Sequence, residues 1–579
     1  MSGPNTIRAL IDERAAQSPG KPFLLACHEG NEGEGDGRNA RQGQSEDGAG
    51  GAGDAARASA LTFAALRGQC RTLEARFREA GLRPGDVVSV FMGNGIQTAR
   101  LLLGAMYGGF VANPLNLLCQ PSQLRYIVEH SDTRVIFAAP DMREAAAAAL
   151  EDLRAQGLSR EVALIVTEPD ARALPDFSAT SPACATSLAH ALTEASAASQ
   201  ASSPAPASSA FDVSSDVPDA GCPLREEDIA LLMYTSGTTG APKGVLLTHR
   251  NLIANACNIT GTHRLDENDR VLASLPLYHI NGLVVTLLTP LYHGGSVVMA
   301  PRFSARTFWR DAARYGCTWI NVVPTIVAYL LASNEPCPHD LSALRFCRSA
   351  SAALPAEHHR AFEARFHIDI VETMGLTETA APAFSNPCDP ALRRIGSIGL
   401  PAGCEAKVLD TEGRECAPRE TGEIVLRGEQ VMRGYYKRPE DTRAALTADG
   451  WLRTGDLGYR DEDGYFYING RAKELIIKGG ENIAPREIDE ALLKHPDVLE
   501  AAALGVPDEA YGQEIAVFIV PRNVDAPLSI EDLRAHCLRE LGRYKTPKTF
   551  HVVADLPRGP SGKVQRLKLI DSWKQIEGK

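Results

Sequence analysis

The sequence has no Cys-x-x-Cys pair, no excess of basic residues, no apolar run of membrane length and no repeat of fixed period. Each absence removes a class of function. The 13 cysteines are scattered and odd in number, with Cys337 and Cys347 the nearest two in sequence, which argues against a zinc site or a disulfide framework. Sixty Lys and Arg stand against 72 Asp and Glu, a formal net charge of -12, so the basic face that nucleic acid requires is not advertised. The longest apolar run, residues 282–291, is far shorter than a membrane span. The first twenty residues read as an amphipathic helix containing acids, not as a secretion segment. A cytoplasmic protein, monomer or homodimer, with no nucleic-acid partner and no membrane span is the expectation.

What is present is an ordinary globular composition, 44% hydrophobic and 23% charged over 579 residues, long enough for several packed units. Two tracts, near 28–60 and 171–223, are rich in small and polar residues, lack apolar periodicity and read as flexible inserts. Between and after them apolar runs such as 86–91 and 133–139 alternate with helical patterns such as 61–80 and 97–109, the rhythm of βα units. Ser304 is placed to cap a helix carrying Ala305, Phe308 and Trp309 on one face, and Pro324 suits a first helical turn. Past residue 400 short strands follow one another, and past 470 a compact α+β unit begins. The fold class is α/β: a large multi-layered N-terminal domain over 1–470 with β-sheets flanked by helices, and a small α+β C-terminal domain over 471–579.

The densest chemical signal is Tyr234-Thr-Ser-Gly-Thr-Thr-Gly-Ala-Pro-Lys-Gly244. Its glycines let the backbone turn tightly and present N–H groups, its hydroxyls add donors, and Lys243 adds charge, which together suit a polyphosphate. The spacing does not fit a Walker A loop. Without that string, a lone Glu378 reads as a solvated cap, Asp456 as half of a surface ion pair, His279 as a core histidine and Gly479-Gly480 as a turn.

The string resembles the phosphate loop of the adenylate-forming superfamily, which includes acyl-CoA synthetases, and five further segments match that family's motifs in order. These are Ser274-Leu-Pro-Leu-Tyr-His-Ile-Asn-Gly282, Met374-Gly-Leu-Thr-Glu378, Trp451-Leu-Arg-Thr-Gly-Asp456, the stretch from Gly470 to Ile483, and Pro560-Ser-Gly-Lys563. The resemblance implies ATP binding by Thr235, Ser236, Gly237, Thr238, Thr239, Gly240, Lys243 and Thr377, with Met374 against adenine where the family usually has tyrosine. It implies Mg2+ on Glu378, ribose on Asp456 and Arg471, and Lys563 as the adenylation lysine. A hinge at Lys473 would let the C-terminal domain turn so that Gly479 and Gly480 face the pantetheine of CoA. ATP and CoA are the implied co-substrates. The short stretch of chain after Lys563 favours free CoA over a carrier-protein arm.

For the acid, His279 gates the pocket by resemblance, and Phe346-Cys-Arg-Ser-Ala-Ser-Ala-Ala-Leu354 lies where many members have a glycine-rich loop. Ser351 replaces a glycine there, and Arg348 sits at the loop's edge. The segment is similar to that of oxalate-CoA ligases, so a small acid with a second anionic group is expected, of the oxalate, malonate or sulfoacetate type. A medium- or long-chain fatty-acid-CoA ligase and a free-standing enzyme loading a carrier protein are the alternatives. A pairing of Arg348 with a backbone carbonyl or an acid reads equally well.

Overall fold

A computed structural model of the chain describes residues 3–27, 60–157, 160–177, 223–235, 242–333, 337, 340–471, 473–523, 528–558 and 564–578. Most of both inserts, the phosphate-loop residues Ser236, Gly237, Thr238, Thr239 and Gly240, and the terminal Lys563 lie outside the described residues. The chain divides into two compact units: 1–234 with 246–321 and 337–345, and 235–245 with 322–336 and 346–579.

In the first unit the βα rhythm becomes a parallel sheet. Val87–Phe91 lies between Val111–Pro114 and Thr133–Ala138, with Ala163–Val166 outside the latter. The strands are almost wholly apolar because they are covered on both faces, as parallel sheets are. Helices Pro121–His130 and Arg143–Ala155 place Leu124, Ile127, Val128, Ala146, Leu150 and Leu153 against this sheet, in one cluster with Phe91 and Ile136. A second sheet of this unit pairs Pro22–Ala26 with Ser296–Met299, and Ser296–Met299 with Arg270–Ala273, all in parallel. Residue 60 already belongs to a strand. At the other insert, Phe177 packs edge-on against Phe77 and Phe137, and Arg100 donates to the Arg172 carbonyl at 2.9 Å. The packed chain therefore extends through 177, beyond the expected start of that insert.

In the second unit Phe346–Ser349 runs parallel to Ile370–Leu376, which turns back into Ala381–Ser385. A four-stranded antiparallel sheet follows, in the order Glu405–Leu409, Gly422–Arg427, Leu452–Arg460 and Phe466–Arg471. The tail is built on the antiparallel pair Val498–Asp508 and Gly512–Pro521. Alternate side chains of that pair point to opposite faces. Ala503, Ile515, Val517 and Ile519 join Ile488, Leu492, Leu533 and Cys537, while Ala502, Leu504, Ala516 and Phe518 join Leu556, Leu569 and Trp573.

Two expected helix bounds move. The helix near Ser304 starts only at Phe308, because residues 304–307 form a turn that donates the Phe308 N–H back to Ser304. Ser529, expected to cap a helix ending at Leu541, does so by accepting the Asp532 N–H at 3.2 Å, but the element runs to Lys545 across Gly542, whose φ of 72° breaks the helical path. Among the described residues no helix is long and apolar enough to cross a membrane.

Candidate active site

The roots of the phosphate loop are well defined. In the first unit, strand Ile229–Thr235 brings Tyr234 beside His130, whose Nδ1 lies 2.8 Å from the tyrosine hydroxyl, and His130 in turn stacks on Tyr126. In the second unit, Thr235 Oγ1 reaches the Lys243 carbonyl at 3.4 Å, joining the two flanks of the loop. Lys243 forms an ion pair with Asp441, and its ammonium lies 4.9 Å from the centre of the Tyr435 ring.

Glu378 occupies a 3-10 turn, Thr377–Thr379, at the end of strand Ile370–Leu376. The turn is abrupt: Ala380 and Ala381 both take positive φ, 53° and 97°, a conformation that costs residues other than glycine of order 1–3 kcal/mol each. Gly375 permits it, since a Cβ there would lie 1.9 Å from the Ala381 carbonyl oxygen. Glu378 Oε1 accepts the Tyr435 hydroxyl at 2.8 Å, and the Glu378 carbonyl accepts the Met432 N–H at 2.8 Å. Burial first, and the Glu378 charge second, push the Tyr435 phenol well above its ordinary value, so it remains a donor. Glu378 is half-buried and Thr377 adjoins it. One carboxylate beside a hydroxyl fits a hard cation that takes its remaining ligands from phosphate and water, as Mg2+ does. Among the described residues no group of three or more His, Cys, Asp or Glu is placed to hold a metal by itself.

Asp456 and Arg471 stand directly opposite each other on antiparallel strands. Arg471 Nε donates to Asp456 Oδ1 at 2.8 Å, and the Asp456 N–H is held by Thr454 Oγ1 at 3.0 Å. The Asp456 charge, despite burial, raises the Arg471 guanidinium above its ordinary value, with Glu474 and Glu378 adding to it. Asp456, Arg471 and Glu378 thus share one electrostatic neighbourhood. Met374 is half-buried opposite Phe384 at a β-bulge.

His279 is half-buried in the first unit, edge-on to Tyr278 at 4.7 Å, and its carbonyl accepts the Leu283 N–H at the entry to the π-helix Asn281–Leu288. The turn before it is pinned by Asn94. Its side chain donates to the Leu275 and Ala300 carbonyls at 3.0 and 3.2 Å and accepts the Leu277 N–H at 2.9 Å.

Arg348 is not at a loop edge. It lies on strand Phe346–Ser349, 1% exposed, because the strand is buried along its whole length, and this burial pulls its guanidinium down to about 9. Ser351 follows with φ 76°, the left-handed backbone that glycine adopts freely. Beneath this loop Glu372, paired in register with Ser349, accepts the Leu354 N–H at 3.2 Å on Oε1, while Oε2 is buried with no hydrogen-bond partner among the described residues. Burial pushes Glu372 up to about 7.

In the tail, Gly479 and Gly480 both need positive φ, 57° and 89°, and the Gly479 N–H donates to the Tyr511 carbonyl at 2.8 Å. Lys473 is exposed in the turn that follows Arg471. Glu372, Tyr435, Asp441 and Asn94 were not signalled by the sequence. Each acts through a partner distant along the chain, and none carries a spacing signal.

The AMP-binding enzyme family matches residues 46–436, and the AMP-binding enzyme C-terminal domain matches 487–563. Among curated proteins the chain is 58% identical over 567 residues, 98% of each chain, to a sulfoacetate-CoA ligase of Cupriavidus necator. It is 34% identical to an oxalate-CoA ligase of Arabidopsis thaliana, over 84% of this chain and 88% of that one. Among solved structures it matches ATP-bound MatB from Rhodopseudomonas palustris with a TM-score of 0.78 and 28% identity, over 99% of both chains. With the phosphate-loop roots, the Glu378 turn and the Asp456–Arg471 pair in that family's order, the chain belongs to the AMP-binding enzymes and is an adenylate-forming acyl-CoA synthetase that uses ATP and CoA.

Proposed function

We propose that the enzyme converts sulfoacetate, ATP and CoA into sulfoacetyl-CoA, AMP and pyrophosphate through a sulfoacetyl-adenylate. The observation that carries the choice of acid is the 58% identity to a sulfoacetate-CoA ligase over 98% of both chains. Two local features support it. Ser351 sets a side chain on a backbone at φ 76°, where many family members have glycine, and we read this as favouring a short acid. Arg348 is buried beside that loop, and a guanidinium out of water attracts an anionic group more strongly than an exposed one.

In the first half-reaction a carboxylate oxygen of the acid attacks the α-phosphorus of ATP and pyrophosphate leaves. In the second, the CoA sulfur attacks the acyl carbon and AMP leaves. Both steps concentrate negative charge, so positioned cations and donors carry the catalysis. Ser236, Gly237, Thr238, Thr239, Gly240 and Lys243 grip the departing phosphates, Asp456 and Arg471 hold the ribose, and Met374 packs the adenine. Bound at Glu378 with Thr377 on the phosphate, Mg2+ supplies neutralisation of phosphoryl charge. Lys563 stabilises the pentavalent phosphorus, His279 gates the acid, and the tail over 471–579 turns at Lys473 to offer Gly479 and Gly480 to pantetheine. The reading extends to a cytoplasmic enzyme acting as monomer or homodimer.

The test is a panel of acids from oxalate, malonate and sulfoacetate to palmitate, read by AMP formation with CoA present. Sulfoacetate should give the highest kcat/KM. Turnover confined to long-chain acids would sink the assignment.

A further inference from the structure

Segment 432–442 has no part in the reaction as written above, yet it is bonded to both halves of the phosphate machinery. The Met432 N–H holds the Glu378 carbonyl, and the Tyr436 N–H holds the Gly244 carbonyl at 2.8 Å, next to Lys243. Between these two backbone clamps stands Tyr435. Its hydroxyl donates to Glu378 Oε1 at 2.8 Å, and its ring faces the Lys243 ammonium at 4.9 Å. Its own backbone is fixed by Thr442, whose Oγ1 accepts the Tyr435 N–H at 2.9 Å. Asp441, one residue earlier on the short helix Pro439–Ala445, takes the lysine ammonium from the other side.

We infer that Tyr435 is a positioning residue that ties the phosphate-loop lysine to the magnesium carboxylate, so that the cation on Lys243 and the anion on Glu378 are presented to MgATP as one pre-set pair. The inference rests on the reading of Glu378 and Lys243 given above. The physical reason is the one that governs partners behind a metal ligand: a hydrogen bond to one carboxylate oxygen fixes the orientation of the group, and losing such a partner typically weakens metal affinity by about 10- to 100-fold. The ring adds a cation–π contact that directs the ammonium alongside its ion pair with Asp441. Tyrosine supplies both, whereas phenylalanine retains only the second.

The experiment uses the full chain and Tyr435→Phe, with ATP binding measured calorimetrically across a magnesium titration and no acid present. The variant should need about tenfold more Mg2+ to reach half of its magnesium-dependent ATP affinity. Its magnesium-free ATP affinity should match wild type. Tyr435→Leu should also lower the magnesium-free affinity, because the lysine loses its ring. Thr442→Val, which releases the tyrosine N–H and the Arg438 carbonyl but leaves the Tyr435 hydroxyl and ring intact, should shift the magnesium titration in the same direction by less, and it serves if Tyr435→Phe fails to fold. A magnesium titration of Tyr435→Phe that superimposes on wild type, or a Thr442→Val titration that does so where only that variant folds, overturns the inference. Wild type that binds MgATP but forms no AMP with any acid overturns the substrate reading instead and leaves this comparison standing.

Discussion

Replacing Glu372 by Gln should make the protein more stable at neutral pH and leave it almost unchanged in mild acid. The carboxyl is 2% exposed, and burial moves it from its ordinary 4.5 to about 7, with Glu490 pushing the same way and Arg486 and the Leu354 N–H pulling against them. Between those two values the folded chain holds a proton that the unfolded chain has released. Stability from this group is therefore complete below 4.5, falls as the pH rises, and is gone above about 7. The span corresponds to ~3 kcal/mol. Glutamine has no proton to lose, and its carbonyl oxygen still accepts the Leu354 N–H. Urea unfolding of both proteins at about pH 5 and about pH 8 should give nearly equal free energies at the lower pH and a variant more stable by ~3 kcal/mol at the higher one. Parallel pH profiles for the two proteins would refute the placement of a protonated acid under the loop.

Other perturbations separate the parts of the site. On the ribose role proposed for Asp456, Asp456→Asn should weaken ATP binding by about tenfold or more, because the charged acceptor becomes neutral and Arg471 loses its counter-charge; calorimetric titration with ATP reads this directly. Lys563→Ala should suppress pyrophosphate release far more than thioester formation from preformed acyl-adenylate, measured as separate half-reactions. Ser351→Gly should keep the unfolding free energy within about 1 kcal/mol, since the backbone already has glycine's φ, and should raise kcat/KM for longer acids relative to sulfoacetate in competition assays.

The motifs made the order of the site legible because each is local: a run of residues whose types and spacing suffice to present N–H groups, a carboxylate or a lysine. For the tail the sequence showed a compact α+β unit past 470, while the covering of its strand pair on both faces came from the structure. What escaped were contacts that only the fold creates. Tyr435 and Glu378 are 57 residues apart and meet because strand Ile370–Leu376 and the chain around 432 are stapled backbone to backbone. Arg348 illustrates the opposite failure. Its Arg-Ser-x-Ser setting reads as polar and therefore peripheral, but its strand is buried from end to end, and sheet packing overrides local polarity. The expected helix start at Ser304 moved because the next residues form a turn closed on the Ser304 backbone carbonyl, with no side-chain cap on the helix that follows.

Ser351 holds a left-handed backbone that serine tolerates poorly and glycine adopts freely. Exchange to glycine at 351 would ask nothing of the backbone, so whatever this side chain does can be altered alone. The conformation needed by the smaller residue is already in place, and no compensating change has to come first. On the role proposed above for Ser351, such an enzyme keeps a fixed engine for activating carboxylates and tunes the acid at one side chain.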